Sequence, residues 1–107
     1  MDILAVLTTT DSLEQARAIA DELVQRKMAA CVQISSIESY YAWEGATQHH
    51  EEYRLLIKTS RERFADLESA ILELHSYELP AIVGFDITRA YEPYAAWVVE
   101  HSSGDRR

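Results

Sequence analysis

The most informative segment of the sequence is residues 31–60, CVQISSIESYYAWEGATQHHEEYRLLIKTS. Val, Ile and Tyr are frequent over residues 31–43, which predicts a strand, and Glu44-Gly45 predicts a turn. Apolar and polar residues alternate again over residues 47–60, which predicts the return strand. A hairpin of this length would project beyond a small core, and its edge would need to pair with another subunit. The segment therefore predicts an oligomer.

The apolar positions change sides within the first strand of this hairpin. Val32 and Ile34 occupy even positions, whereas Ile37 begins a run on odd positions. A bulge inserts one extra residue and bends a strand around its sheet, so it would explain the change. We therefore expect a bulge or bend at Ser35-Ser36.

The regions on either side of the hairpin predict two further strands and three helices. Asp11 followed by Glu14 is typical of a capped helix start, and helical apolar spacing follows it. The expected elements are inner strands at residues 3–9 and 82–87 and helices at residues 12–27, 62–75 and 91–101. The order strand, helix, strand, strand, helix, strand predicts an α+β fold of the ferredoxin-like type, a β-α-β-β-α-β sandwich with a short C-terminal helix.

Length, charge and cysteine content restrict the class of protein. A chain of 107 residues fits one domain, which we place at residues 1–102, with a polar tail at residues 103–107. The net charge of −8 disfavours nucleic acid and anionic lipid as partners and attracts cations. The N-terminal apolar run is too short to span a membrane and has no basic leader, so we expect a cytoplasmic protein. The one cysteine, Cys31, cannot form an intramolecular disulfide.

Five short segments along the chain carry a resemblance to a known family. They are LTTT at residues 7–10, KMAACV at 27–32, YAWEG at 41–45, LIKT at 56–59 and LHSYELP at 74–80. In this order they resemble the CutA family of divalent-cation tolerance proteins, from Ile3 to about His101. The resemblance implies a homotrimer whose long hairpins embrace neighbouring subunits. It also implies tolerance of, and binding to, copper or another divalent cation.

Two departures from the family pattern stand out. Ser76 occupies a position where family members often have proline, which is a small backbone change. The return strand opens with Gln48-His49-His50 and two glutamates, where an acidic run without histidines is more usual. The two histidines add potential metal ligands that the family pattern does not guarantee.

The family resemblance raises Cys31 and His75 as candidate metal ligands. Cys31 matches the family's recurrent cysteine, and its thiolate would suit a soft ion such as Cu(I). The alternative role for Cys31 is that of a small buried hydrophobe. His75 and Glu78 match the family's Leu-His-x-Tyr-Glu-x-Pro segment. The alternative role for His75 is to cap the second helix.

His49 and His50 are candidate ligands for Cu(II), Zn or Ni. Strand alternation would place His49 and His50 on opposite faces, so neighbouring residues could not chelate one ion together without a bulge or another subunit. The alternative is an ordinary solvated hairpin.

No sequence signature of an enzyme is present. The three glycines do not form a phosphate-binding or dinucleotide-binding loop, and there is no nucleophile elbow or HExxH pair. We therefore expect a non-enzymatic protein. An alternative function is a signalling or scaffold trimer, similar to the PII regulators, that binds a small anion in intersubunit clefts through Lys58. Lys58 could instead pair with Glu44, Glu78 or another acidic group.

Overall fold

The structure, a computed structural model, describes residues 2–104 and confirms the ferredoxin-like α+β fold. A short 3₁₀ helix at Arg61–Arg63 precedes the second α-helix. The main elements in chain order are β1 (Ile3–Thr10), α1 (Leu13–Gln25), β2 (Cys31–Trp43), β3 (Ala46–Ser60), α2 (Phe64–Leu74), β4 (Val83–Asp86) and α3 (Glu92–Glu100).

The four strands form an antiparallel sheet in the order β2-β3-β1-β4. β1 is an inner strand, as its apolar sequence predicted. The prediction of a second inner strand at residues 82–87 was wrong, because among the strands of residues 2–104 β4 pairs with β1 alone and lies at the edge of the sheet. All four residues of β4 are exposed. The apolar residues of β4 therefore lie on an uncovered sheet face and are not buried between two strands.

The two faces of the sheet are covered unequally. On the first face, Val6, Leu55 and Ile57 are buried in a core to which α1 and α2 contribute, for example through Ile19 and Ile71. Residues that pair directly across two strands point to the same face of a sheet, and neighbouring residues of one strand point to opposite faces. Val83 and Phe85 pair with Leu7 and Ala5 of β1, so they point to the second face. Lys58 also lies on this face, because it pairs with Ala5. α3 packs on the same face, since the ring centroid of its residue Tyr94 lies 5.5 Å from the ammonium group of Lys58. The second face is therefore only partly covered within the chain.

The long hairpin is confirmed. β2 and β3 are paired from Cys31 and Lys58 at one end to Trp43 and Ala46 at the turn. Glu44 and Gly45 have φ angles of +51° and +79°, as a two-residue hairpin turn with two left-handed residues requires.

The bulge at Ser35-Ser36 was a wrong prediction. Ser35 pairs with Arg54, Ser36 with Tyr53 and Ile37 with Glu52, so the ladder runs through this region without an extra residue. The apolar positions change sides for another reason. Near its start, β2 packs Val32 and Ile34 against the core on the first face, whereas farther along the strand the half-buried Ile37 lies on the second face.

The ends of the helices differ in detail from the predictions. Ser12, and not Asp11, caps α1, because its Oγ accepts a hydrogen bond from the Gln15 N–H at 3.1 Å. Ser102 is buried, and its hydroxyl accepts a hydrogen bond from the Ser60 N–H at 3.0 Å, so the folded part of the chain reaches this residue. Of the predicted tail at 103–107, residues 105–107 lie outside the described residues.

Among residues 2–104, no helix combines the length and the apolar character needed to cross a membrane.

Candidate functional site

His75 follows the last residue of α2 and joins that helix to the end of β1. Its Nδ1 accepts a hydrogen bond from the Tyr77 N–H at 3.0 Å, and its Nε2 lies 2.7 Å from the carbonyl oxygen of Thr9. Since Nδ1 is an acceptor, Nε2 carries the proton and donates to Thr9. Both ring nitrogens are therefore engaged, and a metal ion could bind His75 only after one of these hydrogen bonds is broken.

We call this junction of α2 and β1 the His75–Tyr77 corner. The Tyr77 side chain extends from the corner to a buried carboxylate on β3. Its hydroxyl donates to Glu52 Oε2 at 2.5 Å, and Glu52 is only 7% exposed. β1 ends opposite Tyr53, so Glu52 lies just past the end of the neighbouring strand. Desolvation of the phenol and its hydrogen bond to Glu52 raise the pKa of Tyr77 well above its usual range. The Tyr77 hydroxyl is therefore held as a proton donor.

A cleft of about 690 Å³ lies between the half of the hairpin nearest its turn and the segment that follows His75. Its acidic lining residues are Glu38, Glu52 and Glu78. Aromatic and apolar side chains supply much of the rest, and no Lys or Arg of the described residues lines the cleft. The remaining lining residues are Thr9, Ser39, Tyr40, Tyr41, Trp43, Tyr77, Leu79 and Ala81.

The two adjacent histidines of the hairpin occupy opposite faces, as strand alternation predicted. The ring of His49 stacks on Tyr40, with centroids 4.0 Å apart and an interplanar angle of 7°. His49 Nε2 also lies 3.4 Å from Glu38 Oε1. His50 instead lies beside Tyr41, with ring centroids 5.9 Å apart. The hairpin thus presents an exposed imidazole–carboxylate pair on one face and a separate histidine on the other.

Cys31 begins β2 and is half-buried opposite Lys58. The Lys58 ammonium donates to Gln33 Oε1 at 3.0 Å and lies near the Tyr94 ring. The suggested pairing of Lys58 with Glu44 or Glu78 was therefore wrong, because both acidic residues lie beyond the reach of this end of the strand. Within residues 2–104, no carboxylate is within salt-bridge distance of Lys58.

The structure groups only some of the predicted ligands. His75 and Glu78 lie in the segment that borders the cleft, whereas Cys31 lies farther along the sheet. Cys31 pairs with Lys58, and the cleft residue Thr9 pairs with Arg54, which is four residues from Lys58 in β3. Four strand residues correspond to about 13 Å. In the described part of the chain, no group of three or more His, Cys, Asp or Glu residues is arranged to hold a metal ion. The role of these residues as ligands therefore stays a prediction.

Sequence reasoning missed the contacts that organise the cleft. Glu52 was recognised only as one residue of an acidic and histidine-rich run. Glu52 and Lys58 both occupy even positions of β3, so strand alternation places Glu52 on the second face. Nothing in the local pattern shows that Tyr77 contacts Glu52. The carbonyl of Thr9 has no sequence signal at all.

Comparison with known proteins identifies the family of this chain. The profile of the CutA1 divalent ion tolerance protein family matches residues 4–101. The divalent-cation tolerance protein CutA of Archaeoglobus fulgidus is 36% identical over 95 residues, which cover 89% of this chain and 93% of the relative. The corresponding protein of Thermus thermophilus is 38% identical over 98 residues, which cover 91% of this chain and 95% of the relative.

Solved structures give the same result. The periplasmic divalent cation tolerance protein CutA from Archaeoglobus fulgidus superposes with a TM-score of 0.91 at 34% identity, covering 94% of this chain and 98% of the other. The divalent cation tolerance protein from Thermus thermophilus superposes with a TM-score of 0.90 at 37% identity, over the same shares of the two chains. The profile, the relatives and the solved structures together show that the chain belongs to the CutA1 family of divalent ion tolerance proteins.

Proposed function

We propose that this CutA-family chain acts in divalent-cation tolerance as a homotrimer that binds copper or another divalent cation. The observation that supports metal binding best is the His49–Glu38 pair, whose donor atoms Nε2 and Oε1 are 3.4 Å apart on an exposed strand face. Imidazole and carboxylate together suit Cu(II) and Zn. Two donors already side by side could bind one ion with little rearrangement.

The electrostatics of the chain favour cation binding. The formal net charge is −8, so cations are attracted to the surface and anionic partners are repelled. Glu38 also lies directly opposite Glu51 across the hairpin, and like charges in this position destabilise a strand pair. A bound cation would relieve that repulsion.

The oligomer supplies what one chain lacks. Two protein donors leave the coordination of a copper or zinc ion incomplete. Neighbouring subunits could add Cys31, His50 or Glu78, and also His75 if one of its two hydrogen bonds is broken. An oligomer is favoured because β2 is a 13-residue edge strand and because Val83 and Phe85 are exposed on the second sheet face. The proposed role is stoichiometric binding in the cytoplasm, without a catalytic step.

Calorimetric titration of the tag-free protein with Cu(II), and with Cu(I) under reducing conditions, tests the proposal. The variants are His49→Ala, His75→Ala and Cys31→Ser. His101→Ala is a matched control, since His101 is exposed at the end of α3 and outside the predicted ligand set. We expect saturable Cu(II) binding at a fixed ratio per trimer that is weakened by His49→Ala and not by His101→Ala. No saturable binding by the intact oligomer would refute metal binding.

Lys58 favours a second candidate function, the binding of a small anion between subunits. Its ammonium group contacts the neutral partners Gln33 and Tyr94 at the end of the second sheet face. A carboxylate or phosphate group could supply the missing negative charge. Thermal-shift measurements with inorganic phosphate and citrate, repeated with Lys58→Met, distinguish this function from metal binding. Stabilisation that depends on Lys58 would favour the anion.

A further inference from the structure

We propose that the cleft between the hairpin and residues 77–81 binds a small organic cation of the primary alkylammonium class. The inference goes beyond metal binding, because it centres on Glu52, which is not among the predicted metal ligands, and on a different ligand chemistry, although Glu38 and Glu78 border the cleft as well. It depends on the buried Glu52, on the charges of the other lining residues and on the aromatic walls.

Glu52 is a buried carboxylate that has a neutral partner. It is 7% exposed, and the hydrogen bond that the structure gives its carboxylate comes from the Tyr77 hydroxyl. Within residues 2–104, no Lys, Arg or His nitrogen lies within salt-bridge distance of Glu52. A buried charge is costly unless it is paired with an opposite charge. A cationic ligand would provide that charge.

The other charged groups of the cleft select for the sign of the ligand. Glu38 and Glu78 also line it, and both are exposed to solvent. The described lining residues include three carboxylates and no basic side chain. An anionic ligand would be repelled by all three, whereas an ammonium group would be attracted by each of them.

The acceptor groups of the cleft suit a primary ammonium better than a metal ion. An ammonium group has three donors and no acceptor. The lining offers the carboxylates of Glu52 and Glu78 and the hydroxyls of Thr9 and Ser39 as acceptors. The described residues of the lining provide no imidazole or thiolate. Metal ions of the copper and zinc type prefer those ligands.

Aromatic and aliphatic side chains provide a surface for the alkyl part of the ligand. Tyr41 and Trp43 border the cleft and are 41% and 40% exposed. Tyr77, Leu79 and Ala81 border it as well. Aromatic faces attract cations, and apolar surface attracts methylene groups. A cation with a short alkyl chain would use both.

The test compares three probes that share one alkyl chain, namely n-butylammonium, n-butyrate and n-butanol. Each is titrated into the native oligomer in the presence of EDTA, and binding is followed by the amide and indole resonances of the protein. We expect n-butylammonium to cause saturable shifts in Tyr77, Leu79 and the Trp43 indole. Neither n-butyrate nor n-butanol should saturate the same resonances, and sodium chloride controls for ionic strength.

Glu52→Gln and Glu51→Gln form a matched pair of variants. Both remove one negative charge from adjacent residues of β3, but Glu51 lies on the opposite face, where its carboxylate accepts hydrogen bonds from Ser36 and Tyr53. We expect Glu52→Gln to weaken n-butylammonium binding at least about tenfold, as the loss of a charged hydrogen bond predicts, and Glu51→Gln to leave it nearly unchanged. The amide that Glu52→Gln introduces retains a carbonyl oxygen for Tyr77, so the fold should be preserved, and the amide spectrum verifies this.

Two outcomes would overturn the proposal. One is the absence of saturable shifts with n-butylammonium over the millimolar range, which is also the result expected if a neighbouring subunit fills the cleft. The other is equal weakening by Glu52→Gln and Glu51→Gln, which would indicate general electrostatic attraction and no site. Because EDTA is present, neither outcome depends on whether the protein binds copper.

Discussion

The Nε2–H group of His75 donates to the carbonyl oxygen of Thr9 across a distance of 2.7 Å. This hydrogen bond joins the end of α2 to the end of the inner strand β1. The same imidazole accepts the N–H of Tyr77, whose side chain then extends to Glu52. The corner therefore positions one wall of the cleft.

Replacing His75 with alanine should destabilise the protein in the absence of metal. The substitution removes two part-buried hydrogen bonds, each worth about 1 kcal/mol, so we expect the free energy of unfolding to fall by about 2 kcal/mol. Urea denaturation with EDTA measures this change. His101→Ala is the control, because the exposed His101 hydrogen-bonds to the carbonyl of Trp97 in its own helix.

The metal titration of His75→Ala separates a structural role from a ligand role. If the metal-free variant is as stable as the wild type but binds copper less tightly, His75 is a ligand and its hydrogen bonds contribute little. Lower stability with unchanged copper affinity is the result that the observed geometry favours.

The Tyr77 hydroxyl should make stability depend on alkaline pH. Desolvation and the hydrogen bond to Glu52 raise its pKa in the folded state above the unfolded value of about 10. A raised pKa gives stability that is fully present below the unfolded pKa and is lost as the pH rises through the folded pKa. We therefore expect the stability advantage of wild type over Tyr77→Phe to shrink as the pH rises above about 10.

Urea denaturation of both proteins at neutral and alkaline pH measures this advantage. Tyr91→Phe, at an exposed tyrosine outside the cleft, controls for the loss of a phenol as such. An advantage that stays constant with pH would contradict the proposed environment of Tyr77.

The cap of α1 provides a local test of the structure. Ser12 Oγ accepts the Gln15 N–H, whereas Asp11 lies one residue before the cap and is exposed. Ser12→Ala should lower the free energy of unfolding by about 1 kcal/mol, the usual value of an N-cap side chain. Asp11→Ala should change it by less than about 0.5 kcal/mol. Thermal and urea denaturation of the two variants give the comparison, and a larger loss with Asp11→Ala would support the cap expected from sequence.

The sequence predicted the fold more fully than the cleft. The bounds of β2 and the turn at Glu44-Gly45 follow from short-range patterns, which the structure confirms. The edge position of β4 does not follow from such a pattern, because the sequence of an apolar edge strand cannot be distinguished from that of an inner strand. The Tyr77–Glu52 contact joins residues 25 positions apart across different elements, so it depends on the sheet order and leaves no local pattern.

The exposed apolar residues of the second sheet face predict where subunits meet. Phe85 is 49% exposed on this face, and Leu72 is 54% exposed on α2. If the second face is buried between subunits, Phe85→Glu would place an unpaired charge in the interface, whereas Leu72→Glu would leave its charge in water. We expect light scattering to give three times the chain mass of 12.2 kDa for the wild type and for Leu72→Glu, and a smaller mass for Phe85→Glu. A trimer that tolerates Phe85→Glu but is lost with Leu72→Glu would place the interface on the helical side of the molecule. In that case the second sheet face would be open to solvent in the oligomer.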